Sequence, residues 1–161
     1  MTVTIREARD ADLPAVLALY AQPGMDDGDV LTPDEARAIW QQFARYPSYR
    51  LFVAEDTGGE VVATYALLVM HNLAHRGTPS AIAEDVVVSP AHQGRGIGRA
   101  LMAHALAQAR AAGCYKLALS SNAKRESAHA FYRSLGFQQH GEAGVLLDVD
   151  LVDGIHHDPQ S

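Results

Sequence analysis

The sequence predicts an α/β domain on a mixed and largely antiparallel sheet of about seven strands, flanked by about four helices. Three observations carry this expectation. Short β-branched or alternating runs recur along the chain, helical spacing of apolar residues appears between some of them, and Ile82 to Leu119 runs strand, helix, strand. A strand-helix-strand unit implies a right-handed parallel crossover, whereas short turns join antiparallel neighbours.

Val3 and Ile5 alternate with polar residues and read as the first strand. Asp10 then reads as an N-cap, with Leu13, Val16, Leu17 and Tyr20 at helical spacing. Turn residues from Pro23 to Asp29, three of them acids, end that helix. Thr32 as N-cap, Pro33 at N1 and Glu35 at N3 signal a second helix, continued by Ala36, Ile39, Trp40 and Phe43. Leu51 to Ala54 and Val61 to Met70 flank Thr57-Gly58-Gly59-Glu60 and read as a hairpin, with the longer, apolar arm central.

His71 to Pro79 is a polar loop, and Ala81 to Val88 is the next strand. Arg95 to Ala112 forms the major helix, with Ile97, Leu101, Ala105 and Ala109 on one side and Gly113 as its C′ residue. Lys116 to Leu119 gives a strand, Ser120 to Asn122 a loop, and Glu126 to Leu135 a short helix closed by Gly136. Phe137 to His140 and Val145 to Leu151 complete the strands. Residues 1–152 read as a single domain, and 153–161 as an unstructured tail.

Composition narrows the function. A formal charge of −6 argues against broad nucleic-acid binding, which calls for a basic face. No apolar run reaches the roughly 20 residues that span a bilayer, and the first residues lack a signal-peptide core, so no membrane role and a cytoplasmic location are expected. Cys114 is the only cysteine, which excludes an internal disulfide and fits a reducing compartment.

The most informative stretch is Glu84 to Met102. The run Val86-Val87-Val88 meets Ser89 and Pro90, and Gly94, Gly96 and Gly98 then open the long helix. Glycines let the backbone approach a ligand closely, and the first helical turn has N–H groups without intrahelical partners. With the positive end of the helix dipole and the charges of Arg95 and Arg99, such a loop suits phosphate. It is not a Walker loop, because no lysine follows the glycines. A Rossmann fingerprint from Gly94 would place its third small residue at Arg99, which excludes that too.

The pattern Q-x-x-G-x-G, met by Gln93, Gly96 and Gly98, resembles the acetyl-CoA pyrophosphate loop of the GNAT superfamily of N-acyltransferases. Asn122, followed by A-x-x-F-Y-x-x-x-G-F from Ala128 to Phe137, resembles the second signature of those enzymes, in the right order. Glu84 to Val88, Gly113 to Lys116 and Phe131-Tyr132 are also similar to the glucosamine-6-phosphate N-acetyltransferase branch.

The resemblance implies the GNAT fold, in which a parallel strand pair splays apart and the pantetheine arm enters as a pseudo-strand. It implies that Val86, Val87 and Val88 offer backbone groups to that arm and that Asn122 hydrogen-bonds it. Gly94, Arg95, Gly96, Ile97, Gly98 and Arg99 would hold the pyrophosphate, and Tyr132 would stand beside the thioester sulfur. Acetyl-CoA is then a co-substrate and no metal is expected. The acceptor would be a primary amine of a small molecule, and homodimers through the C-terminal strands occur among relatives. A CoA-binding regulator without catalysis, or an acetyltransferase of protein N-termini or lysines, is the alternative.

Chemistry assigns two candidate catalytic residues. The leaving thiolate needs a proton, which a phenol such as Tyr132 can donate. The acceptor amine must lose one, because with a pKa near 10.4 only about one molecule in a few thousand is neutral at pH 7. Glu84 is the expected base, since strand alternation sets it on the face of Val86 and Val88 and burial can raise its pKa, while Asp85 points to the other face. The histidines show no metal-ligand spacing, and His129 reads as a helix-surface residue. Acceptor choice is expected between the first two helices and in the loop before Ala81. There Asp26, Asp27 and Asp29 would favour a cation, whereas Lys124 and Arg125 would favour a phosphate.

Overall fold

A computed structural model gives the structure of the chain and describes residues 2–122, 126–140 and 144–151. The strands are β1 (Thr4–Glu7), β2 (Tyr49–Glu55), β3 (Val61–Met70), β4 (Ser80–Val88), β5 (Lys116–Asn122), β6 (Gln138–His140) and β7 (Gly144–Asp150). The helices are α1 (Leu13–Tyr20), α2 (Pro33–Phe43), α3 (Ile97–Ala111) and α4 (Glu126–Ser134). Hydrogen bonding orders the strands β1-β2-β3-β4-β5-β7-β6. Pairing is antiparallel for β1/β2, β2/β3, β5/β7 and β6/β7 and parallel for β4/β5, the mixed α/β architecture that the sequence predicts. The chain divides into two compact units, residues 1–68 with 84–104, and residues 69–83 with 105–161.

In the first unit the ladder runs from Thr4 opposite Glu55 and from Tyr49 opposite Leu68. The β2/β3 turn closes on Asp56, whose carboxylate accepts the N–H groups of Gly58 (3.0 Å) and Glu60 (2.9 Å). Ala8, Val16, Leu51, Val53 and Ala66 form a buried cluster, with Tyr20, Trp40, Phe43 and Tyr49 packed against it. The expected cap on α2 is present: the Glu35 N–H donates to Thr32 Oγ1 (3.3 Å), and the Thr32 N–H donates to Glu35 Oε1 (3.2 Å). The N-cap expected at Asp10 is not found. Asp10–Asp12 is a 3-10 turn and α1 begins at Leu13, because Asp12 takes both Arg6 nitrogens (2.7 and 3.0 Å) and the Arg9 N–H (2.7 Å). The hydrogen bond from Arg6 holds the Asp12 carboxyl below the usual carboxylate range.

The middle of α3 is tied to the sheet by the Tyr65 hydroxyl, 2.6 Å from His104 Nδ1. Burial raises the phenol and lowers the imidazole, so the two meet as a neutral hydrogen-bonded pair rather than an ion pair. Phe52 stacks on Tyr65 and meets His104 edge-on, with centroids 5.2 and 4.7 Å apart.

In the second unit Ala81, Ile82 and Ala83 of β4 pair in parallel with Leu117, Ala118 and Leu119 of β5. The sequence places a loop at Ser120 to Asn122, but β5 continues there because β7 supplies partners at Leu146, Val145 and Gly144. Gly113, at φ +77°, ends α3 as expected, its N–H donating to the Arg110 carbonyl (3.0 Å). Residues 153–161, the expected tail, lie outside the described residues.

Candidate active site

The loop before α3 is anchored at its β4 end by ordinary hydrogen bonds. The Ser89 N–H donates to the Val62 carbonyl (2.8 Å), and the amides of Gln22 and Gln93 both donate to the Val88 carbonyl (3.3 Å each). The glutamine of the Q-x-x-G-x-G pattern thus folds the loop back onto its own strand. Of the three valines expected to offer backbone groups, Val88 already has its carbonyl engaged, and the Val87 side chain is buried.

Gly94 and Gly96 adopt φ values of +76° and +81°, a region that side-chain-bearing residues enter at a cost. A Cβ on either would meet no atom within 4 Å, so open space lies over the loop. The helix starts at Ile97 rather than Arg95, because Gly96 supplies the first carbonyl, accepting from the Ala100 N–H at 3.0 Å. The N–H groups of Ile97, Gly98 and Arg99 therefore form the unpaired first turn. The Ile97 side chain is buried and anchors that turn, while Arg95 and Arg99 are exposed. Open space, exposed amides and two arginines suit the diphosphate of a nucleotide cofactor.

A cavity of about 680 Å³ lies in the same unit, bounded by α1, α2, the segment between them and strands β2, β3 and β4. Its walls include Tyr20, Trp40, Phe43 and Tyr49, and its acids are Asp26, Asp29, Glu35 and Asp85. Asp85 reaches it because its φ is +52°, a left-handed residue inside β4 that interrupts the alternation assumed from the sequence. Although Asp85 as a residue is open to solvent, its carboxyl at the cavity wall is pushed up by burial and then by the charge of Asp26. The Glu84 carboxyl, half-buried, is raised by burial and by Asp85. Burial, then the charges of Asp85 and Glu84, raises the Tyr49 phenol, so that ring senses both acids. Tyr20 is raised by burial and by Asp85.

The second unit holds the remaining expected residues. Tyr132 is half-buried on α4, its ring 5.4 Å from Phe131 and 6.0 Å from Phe137. Asn122 is the last residue of β5. Lys124 and Arg125 lie outside the described residues. His129 is not a surface residue: it is 3% exposed, one turn from Tyr132 on the inward side of α4.

Tyr20 and Trp40 read from spacing as the apolar faces of two helices and Tyr49 precedes the predicted strand, so only the expectation that the acceptor lies between the first two helices pointed toward this cavity. The left-handed Asp85 had one usable signal, because aspartate tolerates positive φ better than most residues. Asp56, Glu60 and His92 also come together, with potential ligand atoms within 4.8 Å of one another, although Asp56 is committed to its turn.

Comparison with known proteins gives the family. The chain is 34% identical over 141 residues to aminoglycoside N(6')-acetyltransferase type 1 of Stenotrophomonas maltophilia, covering 84% of this chain and 86% of that protein. It is 34% identical over 100 residues to glucosamine 6-phosphate N-acetyltransferase of Trypanosoma brucei brucei, covering 62% of this chain and 65% of that protein. The fold matches a phosphinothricin acetyltransferase from Sinorhizobium meliloti, solved in complex with acetyl-CoA, with a TM-score of 0.76, 21% identity and coverage of 99% of this chain and 94% of that one. At that identity the likeness concerns the fold alone. The model of the acetyltransferase (GNAT) family matches residues 13–137, well over half of the sequence, and the chain therefore belongs to the GNAT acetyltransferase family.

Proposed function

We propose that this chain transfers an acetyl group from acetyl-CoA to a primary amine of a small molecule by direct attack in a ternary complex. The observation that carries the reading is the glycine loop: two left-handed glycines with open space over them that lead into an unpaired helical turn, following a strand that bears two acids. Residues Gly94 to Arg99 hold the diphosphate through backbone N–H groups and the charges of Arg95 and Arg99. The strand residues Val86 and Val87 offer backbone groups to the pantetheine arm, and Asn122 adds a hydrogen bond to it.

The acceptor enters as an ammonium ion and is held by Asp85 at the cavity wall. Glu84, whose carboxyl is raised toward neutrality by burial and by Asp85, takes one ammonium proton. The neutral nitrogen attacks the thioester carbonyl, forming the C–N bond. Collapse of the tetrahedral species breaks the C–S bond, the thiolate takes its proton from the Tyr132 hydroxyl, and the second proton lost by the nitrogen returns through water to the Tyr132 phenolate, leaving a neutral amide. For Tyr132 the support is its place in the second sequence signature and its half-buried ring on α4.

Two measurements test the reading. Acetyl-CoA at about 100 times its dissociation constant should stabilise the protein by roughly 2.7 kcal/mol, and thiol should be released when an amine is added. Binding without thiol release from any amine would leave a CoA-binding regulator, and no binding would remove the acetyltransferase reading.

A further inference from the structure

We propose that the acceptor is a cationic amine with an apolar body and no anionic group, an arylalkyl or alkyl amine rather than a phosphorylated sugar or an amino acid. The inference rests on the acetyltransferase reading above and concerns the chemistry of the cavity between α1, α2 and β4.

Its volume, about 680 Å³, falls within the range of small-molecule sites and admits an aromatic ring with a side chain. The walls are largely apolar, and four aromatic rings face the space: Tyr20, Trp40, Phe43 and Tyr49. Leu31 and Ile39, also lining residues, remain 39% and 49% exposed, large apolar surfaces that an apolar ligand would cover. A hydroxyl-rich sugar ring would find polar partners only at the acids and the polar edges of Tyr20, Trp40 and Tyr49, and would lay its remaining polar surface on aliphatic walls.

The charged residues in the lining all have one sign. Asp26, Asp29, Glu35 and Asp85 contribute to it, and no lysine or arginine does among the described residues. A carboxylate or phosphate on the acceptor would face like charges with no cation to pair among the described lining residues, whereas an ammonium meets carboxylates and aromatic faces. Two arginines of the same unit are engaged with other acids. Arg37 pairs with Asp34 (3.2 Å) and Asp10 (3.8 Å), and Arg6 with Asp12 and Glu55. The acids of the α1–α2 segment are also sorted: Asp27 accepts the Gly24 N–H (2.9 Å) and builds the turn, while Asp26 and Asp29 reach the cavity.

The test compares amines that differ only in the anion. Tyramine and L-tyrosine share a body, and the full-length protein with saturating acetyl-CoA is assayed for thiol release with each, and with glucosamine 6-phosphate. The expected result is a kcat/KM for tyramine about tenfold or more above that for tyrosine or the phosphorylated sugar. An Asp26→Asn, Asp29→Asn double variant should narrow the tyramine-to-tyrosine ratio while leaving acetyl-CoA affinity unchanged. Equal or better use of tyrosine or glucosamine 6-phosphate overturns the inference, as does turnover of none of the three by protein that still binds acetyl-CoA. Acetyl-CoA that neither binds nor stabilises the protein overturns the acetyltransferase reading beneath it.

Discussion

The side-chain amide of Gln93 donates to the carbonyl of Val88 across 3.3 Å, closing the glycine loop onto the strand it leaves. Gln22 donates to the same oxygen, so loss of Gln93 leaves that carbonyl one partner. Gln93→Ala should therefore leave the fold intact and weaken acetyl-CoA binding about three- to tenfold, in keeping with one lost hydrogen bond. Calorimetry with acetyl-CoA checks it, and an unchanged dissociation constant would show that the loop is shaped without Gln93.

Gly98 separates structural from ligand-related glycines. It lies in the first turn of α3 with no positive φ, so alanine should suit the helix better, by about 0.5–1 kcal/mol. If a diphosphate approaches that turn, Gly98→Ala should raise the melting temperature of the free protein and yet lower acetyl-CoA affinity. A rise in both would place the cofactor elsewhere.

On the proposed mechanism, the pH dependence of turnover follows from Glu84. Burial and Asp85 raise its pKa, so the base becomes active at a higher pH than an ordinary carboxylate would. Glu84→Gln removes that assistance, and its rate should then depend on the fraction of neutral amine alone. The deficit against wild type should be largest near neutrality and shrink as the pH nears the amine pKa, close to 10.4 for an alkylamine. A deficit independent of pH would exclude Glu84 as the base.

Tyr132→Phe keeps the ring and removes the hydroxyl. Turnover should fall about 100-fold, the lower end for loss of a positioned acid, with acetyl-CoA affinity nearly constant. Turnover equal to wild type in that variant would assign the phenol to packing against Phe131 and Phe137.

Stability in acid depends on Asp12. Its carboxyl pKa is lowered, chiefly by the hydrogen bond from Arg6, so its contribution is complete above the unfolded carboxylate value and disappears as pH falls through the lowered folded value. Asp12→Asn should cost about 2 kcal/mol at pH 7, and the gap to wild type should start to close below about pH 4. Denaturant titrations at pH 7 and pH 3 measure both numbers.

Much of this protein was legible in its sequence, and the exceptions share a cause. The Thr32 cap, the hairpin turn at Thr57 to Glu60 and the glycine end of α3 are local devices, set by residues within four positions of one another, and they stand where the sequence places them. The Asp10 cap failed because Arg6 reaches along the chain to Asp12, and the loop at Ser120–Asn122 failed because β7, more than twenty residues later, completes its ladder. The family was visible because Gln93, Gly96 and Gly98 match the pattern of its glycine loop and Ala128 to Phe137 matches its second signature. The cavity was not, because Tyr20, Trp40 and Tyr49 acquire a shared face only when three separate elements fold together.

Cys114, the chain's single cysteine, is buried at 2% exposure, and burial raises its thiol pKa. A colorimetric disulfide reagent added to a running reaction should thus report liberated coenzyme with little background from the catalyst. The same silence makes the surface a blank slate for chemistry: one cysteine introduced at a chosen position would take a fluorophore or spin probe there and nowhere else.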